Sequence, residues 1–546
     1  MRADQRSKRG TLVRRYPALA LVLGAAALAV LLPSALTVPQ SGPSTLAEFA
    51  PVPGSGQGQS DVSDFGTGQS GGLGFGGGSA EAQRGIPEGA SAPSQKAARL
   101  KRCVGNPPRQ TEDELSPPCV AFFEGSNPGA TAKGVTQDEV KVAIHAEGDV
   151  SGSIVDCALA PKSDDVPQVL ACKSYMKYFN DRYQTYGRVV HLWNASKTLG
   201  SDGIDSRIGP FAFGNPLLSG PSLAKKNVVS VGYMGNRRAP YRDNAPMFMT
   251  FRSDFEDDMR IAAGYICTRL AGRRAQFSGN PLDQDKIRVF GVWAGTGGSG
   301  FRDEILIKDI RELCGQEIKV FVEGDDRNGT TKMQTDGVTT VIVMDGVLVT
   351  SAATVTASGH GYFPEWMVLG NSTILGLDTN SEARKQHPAQ WKNSFGMTLD
   401  YRRLTMNEQN WFRAYREGCQ DCPVPGTAAE GSAIPFVYDL LNLLFWGIQA
   451  SGPRLTPANM DLGLHAIPAR PSSDPYRPAA YFAPGNWTFV KDAMPIWWDA
   501  TGQPPGSASR GCYRLPSEGR RFRASEWPSG DALVKAEGPC QGDPIN

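Results

Sequence analysis

Ten cysteines are the most reactive side chains in this chain: Cys103, Cys119, Cys157, Cys172, Cys267, Cys314, Cys419, Cys422, Cys512 and Cys540. Their number is even, and in an exported chain an even number points to disulfides rather than to metal or redox chemistry. Pairing sequence neighbours (103 with 119, 157 with 172, 267 with 314, 419 with 422, 512 with 540) is the simplest of the many assignments the sequence permits. Cys419-Gln420-Asp421-Cys422 has the spacing of a redox or zinc motif. A redox pair opens a helix after a strand, whereas this one follows a helical pattern and precedes Pro423-Val424-Pro425-Gly426. A zinc site needs a second ligand pair, and no histidine lies close in sequence. The pair reads as a structural loop clip.

The five histidines, His145, His191, His360, His387 and His465, show no metal spacing and no His-Glu-x-x-His motif occurs. Gly68-Gln69-Ser70-Gly71-Gly72 matches Gly-x-Ser-x-Gly but lies in the Gly/Ser-rich stretch, not between a strand and a helix, so no elbow marks a serine hydrolase. His145 ends an apolar run and reads as a packed strand-end residue, with ligand contact as the alternative. Glu256-Asp257-Asp258 and Asp325-Asp326 offer carboxylates for acid–base work, but both fall where solvated helix starts or turns are expected. Ala294-Gly295-Thr296-Gly297-Gly298-Ser299-Gly300 is rich in glycine, yet a phosphate loop requires Gly-Lys-Ser/Thr and no lysine is present. No catalytic constellation, resident cofactor or metal is expected, and the chain does not read as an enzyme.

The composition sets the background for these residues. Of 546 residues, 56 are basic and 55 acidic, a formal charge of +1 that argues against an electrostatically driven nucleic-acid binder. Apolar residues make up 40%, enough for a large core. At the N-terminus Arg2, Arg6, Lys8, Arg9, Arg14 and Arg15 precede the apolar run Ala18–Val38. That run matches the roughly 20 residues that cross a bilayer as a helix, with the basic side inside. Pro33-Ser34-Ala35-Leu36 is a poor cleavage site, so residues 1–38 read as a retained membrane anchor, with a cleaved signal peptide as the alternative. No cysteine lies here to carry a lipid. Either way the bulk of the chain is expected outside the cytoplasm, tethered to the membrane or secreted.

Residues 39–98 are rich in Gly, Ser, Pro and Gln and read as a disordered linker, since they bury too little apolar surface to offset chain entropy. As a flexible coil the segment would span roughly 40–45 Å. Residues 99–133 form a prefix clipped by Cys103 and Cys119.

From Gly134 onward, strand and helix patterns alternate. Val140–His145 reads as a strand. Val169, Cys172, Met176, Phe179 and Tyr183 then mark one face of an amphipathic helix. Strands Val189–Trp193, Phe211–Phe213 and Val228–Gly232 follow. A second series begins with helix Ile261–Leu270 and strand Ile287–Trp293. Helix Phe301–Leu313 and strands Ile318–Val322, Thr339–Met344 and Trp366–Leu369 come next. Residues 434–450 are the most apolar helical segment, interrupted by Asp439, Asn442 and Gln449 and too short to span a bilayer. Thr456-Pro457 starts another helix with an N-cap and a proline at N1. Asn486–Asp499 reads as two short strands meeting at Asp492-Ala493, and residues 501–546 as a polar tail clipped by Cys512 and Cys540. Two βα series imply an α/β fold of two mostly parallel sheets, each covered by helices.

This order resembles the type I periplasmic binding proteins, in particular the branched-chain amino-acid-binding-like solute receptors of ABC transporters. The resemblance rests on Gly134-Val135-Thr136-Gln137-Asp138-Glu139-Val140-Lys141-Val142 and on Gly361-Tyr362-Phe363-Pro364-Glu365-Trp366. It rests further on Tyr438-Asp439-Leu440-Leu441, Ser451-Gly452-Pro453-Arg454-Leu455-Thr456 and Trp497-Trp498-Asp499. The Cys103–Cys119 prefix is similar to one on exported actinobacterial members. The resemblance implies two lobes joined by three crossovers near Phe251-Arg252, Met397–Asp400 and Ala469–Ser473. Lobe one would comprise 134–250 and 400–468, and lobe two 252–398 and 470–500. Trp487, Trp497 and Trp498, which could stack on sugars, fall at strand-packing positions of the family pattern.

Ligand would lie between the lobes at the carboxyl ends of the strands, where an open parallel sheet also places one on physical grounds. In lobe one the loops Phe213-Gly214-Asn215-Pro216 and Gly232-Tyr233-Met234-Gly235-Asn236 would supply backbone and side-chain hydrogen bonds, from Gly214, Asn215, Tyr233, Met234, Gly235 and Asn236. In lobe two the candidates are Thr296, Ser299, Asp345 and Asn371. Family members that bind amino acids carry an acid at the position of Asn371, which an asparagine cannot replace; Asp345 is the candidate substitute. The resulting expectation is an extracytoplasmic receptor for a small polar molecule, such as an amino acid or related compound, with an ABC permease as partner. The alternative is a membrane-tethered sensor or surface-binding domain without transport.

Overall fold

The computed structural model describes residues 86–91, 103–106, 108–145, 154–162, 165–196, 198–214, 220–232, 237–294, 300–324, 328–344, 347–370, 387–392, 394–425, 428–467, 478–505, 510–529 and 538–541. The basic N-terminus, the Ala18–Val38 run and most of the linker lie outside them. Among the described residues, no helix is long and apolar enough to cross a membrane.

The first sheet is built from β1 (Glu139–Ile144), β2 (Ile154–Asp156), β3 (Val189–Ala195), β4 (Ala212–Gly214), β5 (Val229–Gly232) and β6 (Phe248–Thr250). Its order is β2-β3-β1-β4-β5-β6, parallel except for β2 against β3. Val140, Val142 and Ile144 of β1 enter one core and Ala143 the opposite one, the period-2 alternation of a sheet covered on both faces. The larger core is closed by helix α1 (Pro167–Arg182), whose Val169, Cys172 and Phe179 are buried together with Tyr183 at its end. With half-buried Met176 between them, the 3-4-3-4 spacing of these positions puts them on one stripe.

The second sheet contains seven strands. The chain enters it through helix α2 (Phe255–Arg269), then forms β7 (Phe290–Ala294), helix α3 (Gly300–Cys314), β8 (Ile318–Glu323), β9 (Thr340–Val343), β10 (Glu365–Gly370) and β11 (Ser394–Thr398). It returns to the first sheet as α4 (Asn410–Gly418), α5 (Ala428–Ala450) and α6 (Pro457–His465), and comes back as β12 (Met494–Asp499) and β13 (Cys512–Arg514). The order is β13-β12-β11-β10-β9-β7-β8, with only the β11–β12 and β12–β13 pairs antiparallel. Phe290, Val292 and Ala294 face α2 and α3, whereas Trp293 faces the other side. The fold is therefore the two-lobed α/β arrangement expected, with each mostly parallel sheet flanked by helices and three crossovers between them.

Five disulfides join Cys103–Cys119, Cys157–Cys172, Cys267–Cys314, Cys419–Cys422 and Cys512–Cys540, the sequence-neighbour pairing. Thr456 caps α6 by accepting from the Asn459 amide, with Pro457 at the first helical position.

Several expectations are corrected by packing between distant segments. Residues 86–91, read as linker, dock on the first lobe. The Ser91 amide donates to the Tyr186 hydroxyl at 3.0 Å, and that hydroxyl donates to the Gln449 carbonyl at 2.7 Å. Gly89, at φ 75°, lies so close to Pro453 that a Cβ there would stand 3.0 Å from its ring. Within 470–500, assigned to lobe two, Ala480, Phe482 and Phe489 belong to the core of the first sheet, and Thr488 pairs with Thr250 beside β6. Lobe two is rejoined only at Ala493. Asn486–Asp499 accordingly holds one strand, preceded by isolated bridges at Thr488 and Val490. The strand read from Ile287 begins at Phe290, and Ile287 is exposed. The polar tail is not a loose end. It supplies β13, and Trp527 is buried on α2, its indole N–H donating to the Ile261 carbonyl at 3.0 Å.

Candidate functional site

The candidate ligand loops leave the two sheets at one end of each. In the first sheet, Gly214 pairs with both Ile144 and Val231, so the loops after β4 and β5 start from adjacent strand ends. In the second sheet Val343 pairs with Trp293 and Val368, which brings the ends of β7, β9 and β10 together. The first crossover, Phe251 to Asp254, leaves the carboxyl end of β6, and the second leaves that of β11 at Leu399. The antiparallel β12 enters with Met494 opposite Thr398, the last residue of β11. All three crossovers thus sit at the carboxyl ends, and the two sets of strand ends flank one hinge.

The hinge is held by charge. Arg252 Nη1 donates to Asp400 Oδ1 at 2.9 Å, linking the first two crossovers, with both side chains largely buried. The Arg252 carbonyl accepts from the Phe489 amide at 3.0 Å, which adds the third. Arg521 donates Nε to Asp492 Oδ1 at 2.8 Å, Nη1 to the Asp400 carbonyl at 2.7 Å, and Nη2 to the carbonyls of Leu399 at 2.9 Å and Asp492 at 2.8 Å. The Tyr401 ring has the guanidinium carbons of Arg252 and Arg521 each 5.9 Å from its centroid.

A second network anchors the end of the loop after β5. Arg238 donates Nε and Nη2 to the Asp254 carboxylate at 2.8 and 3.0 Å and Nη2 to Asp257 Oδ1 at 2.5 Å, while its amide donates to Glu256 Oε2 at 2.8 Å. The Asp254 bonds are the main reason its guanidinium is held charged more firmly than usual. Asp254 also caps α2 by accepting from the Asp257 amide, and Lys491 reaches Asp257 Oδ2 at 2.8 Å. Arg238, at the start of the helical turn before β6, is in this way tied to the first and third crossovers. Next in sequence, Asp258 does not behave as the solvated helix start expected of Glu256-Asp257-Asp258. It is buried, accepts from the Ser253 hydroxyl, and its carboxyl is pushed up to about 7 by burial, against the opposing charge of Arg302.

Gly214 is the candidate ligand residue that the structure describes. A Cβ there would stand 3.2 Å from Ile144 Cγ2 on the neighbouring strand, a tight approach, and at ordinary contact distance, 3.5 Å, from Leu440 Cδ1 on α5. Its carbonyl accepts from the His145 amide at 3.0 Å, and the His145 ring lies 6.2 Å from Phe213. Asn215, Tyr233, Met234, Gly235, Asn236, Thr296, Ser299, Asp345 and Asn371 lie outside the described residues, as does Asp325-Asp326; the strand ends that launch their loops are described.

Elsewhere, Trp497 stacks on Phe395 across β11 and β12 with centroids 5.6 Å apart, and the Trp487 indole donates to Asp461 at 2.6 Å. His191 bridges Glu139 and Asp156 at 2.7 and 2.6 Å. Among the described residues no group of three His, Cys, Asp or Glu side chains is placed to hold a metal ion. The sequence placed crossovers at Arg252 and Asp400 without pairing them, and the groups it missed are Arg238, Asp492 and Arg521. Each acts through a partner outside its own sequence neighbourhood, so no local spacing marks it.

No family model matches the chain, and no curated protein matches it in sequence. Solved structures do align with it. A leucine-, isoleucine-, valine-, threonine- and alanine-binding protein from Brucella ovis, in its closed conformation, is 11% identical with a TM-score of 0.49, covering 74% of this chain and 100% of its own. A solute-binding protein of an ABC transporter from R. palustris, in complex with 4-hydroxybenzoate, is 8% identical with a TM-score of 0.43, covering 73% and 100%. A periplasmic binding protein type 1 from Bordetella pertussis is 10% identical with a TM-score of 0.45, covering 68% and 98%.

Proposed function

We propose that this chain is an extracytoplasmic solute-binding protein of the type I periplasmic binding class, which captures a small polar molecule between its lobes and passes it unchanged to an ABC permease. The observation that carries the reading is the convergence of both sheets' carboxyl ends on one three-crossover hinge. A cleft bounded this way closes by hinge rotation, and a ligand touching both lobes stabilises the closed state by its differential affinity. Five disulfides fit an oxidising compartment. In this reading the basic N-terminus and Ala18–Val38 hold the protein at the membrane, the Cys103–Cys119 prefix is of the exported actinobacterial kind, and Asn215, Tyr233, Asn236, Thr296, Ser299, Asp345 and Asn371 line the ligand.

The test is a thermal-shift screen of the purified full chain against amino acids, aromatic and aliphatic carboxylates and small polyols. A ligand at 100 times its Kd adds about 2.7 kcal/mol to stability. Asn215→Ala, Tyr233→Ala and Asp345→Ala are expected to abolish the shift while leaving the melting point without ligand nearly unchanged. If all three respond as wild type does, ligand binds elsewhere. Turnover of any compound would replace the reading with an enzymatic one.

A further inference from the structure

The third crossover and the C-terminal segment meet at a contact that a two-lobed binding fold does not require. Residues 516–529 follow β13, and their one fully buried charge, Arg521, bonds to the crossovers. A guanidinium is planar and rigid, and its donors leave in fixed directions. Here those donors engage the carbonyls of two successive residues of the second crossover, Leu399 and Asp400, together with the carbonyl and carboxylate of Asp492 in the third. The Asp492 carboxylate is shared, its Oδ2 accepting from the Ala479 amide at 2.7 Å at the start of the returning chain. Ala493 and Phe522 exchange amide–carbonyl bonds at 3.0 and 2.7 Å, which locks the backbone beside the arginine to the same crossover.

Rotation of a peptide plane at Leu399 or Asp400 would swing a carbonyl out of the guanidinium plane and leave a buried donor without its partner. The two crossovers are therefore constrained to move as one block.

We propose that the C-terminal segment is a hinge brace, in which Arg521 yokes the second and third crossovers so that the lobes move about a single axis. The functional meaning of the brace rests on the lobe-closure reading above, but its test does not. It gives residues 516–529 a conformational task, confining the lobe angle before any ligand arrives and so reducing the ordering that ligand binding must supply.

The experiment uses the full chain without ligand. Lys177 on α1 and Lys308 on α3 have side chains 66% and 71% exposed. Changed to cysteine and spin-labelled, they report the lobe-to-lobe distance by pulsed electron resonance. The labelled wild-type chain is expected to give one narrow distribution. Arg521→Met should lose that single maximum and broaden, and Arg521→Lys, which keeps the charge but not the fork, should broaden less. A narrow, unshifted distribution in folded Arg521→Met overturns the proposal. Should that variant not fold, Asp492→Asn weakens the yoke without removing the arginine, and an unchanged width there overturns it equally. A failed ligand screen would leave these distances as they are, so the two readings fall separately.

Discussion

Replacing Asp258 by asparagine tests the link between burial and charge at the entrance to lobe two. Asp258 is 5% exposed, lies in the first turn of α2, and accepts from the Ser253 hydroxyl. Burial is the main reason its carboxyl is pushed up to about 7, opposed by Arg302 and by the Ser253 bond. An unfolded aspartate titrates near 3.9. Between these values the folded chain holds a proton that the unfolded chain has released, so stability falls as pH rises through the window. The gap is about 3 pH units at roughly 1.4 kcal/mol each, so about 4 kcal/mol is present at pH 4 and lost by pH 8. The amide of the Asp258→Asn variant would keep an oxygen for Ser253 and carry no charge at any pH. Guanidinium unfolding of both chains from pH 4 to pH 8 should show nearly equal stability at the acid end. At the alkaline end the variant should be more stable, by an amount approaching that figure. Parallel pH profiles for the two proteins would refute the reasoning.

Three further outcomes follow from packing and cross-links. A Cβ at Gly264 of α2 would stand 2.1 Å from the Ala524 carbonyl oxygen, so Gly264→Ala should lose about 1–3 kcal/mol despite its better helix propensity. Hydrogen exchange should then accelerate across 520–529; unchanged stability would mean that this segment does not rest on α2. The Cys267–Cys314 bridge closes a separation of 47 residues, so replacing both cysteines by alanine should cost about 4 kcal/mol on the chain-entropy account, read from denaturant midpoints. Tyr186→Phe removes the acceptor of the Ser91 amide and the donor to Gln449, for a loss of about 1–3 kcal/mol. Peptides containing Ser91 should then exchange faster; unchanged exchange there would dissociate 86–91 from Tyr186.

The sheets were largely legible in the sequence because their residues respond to local periodicity. Val140, Val142 and Ile144 alternate, and the α1 stripe from Val169 to Tyr183 follows helical spacing, whatever lies beyond. Neighbour pairing of the cysteines held for separations from 3 to 47 residues, because each partner lies on the nearest packed segment of the chain. Where the reading departed from the structure, the deciding contact was distant. The acidic start of α2 looks solvated until Arg302 and the Ser253 hydroxyl are placed against Asp258. Arg521 lies 121 residues from Asp400, and nothing in the polar tail marks it as a hinge residue. Residues 86–91 have linker composition because they dock largely through backbone, which composition does not encode. Of the loop candidates, Gly214 is packed tightly against Ile144 of β1, seventy positions earlier in the sequence, a contact that local pattern does not mark.

The docked residues 86–91 also decide how force would travel through the molecule. Tyr186, Gln449 and Pro453 sit by the amino ends of the first sheet, and the six residues of β1 put its carboxyl end roughly 20 Å away. Tension on the N-terminal chain therefore enters lobe one at its far pole and is borne by Tyr186 before it reaches any crossover. A pull on that chain would drag one half as a rigid body, leaving the jaw it shares with the other half mechanically idle.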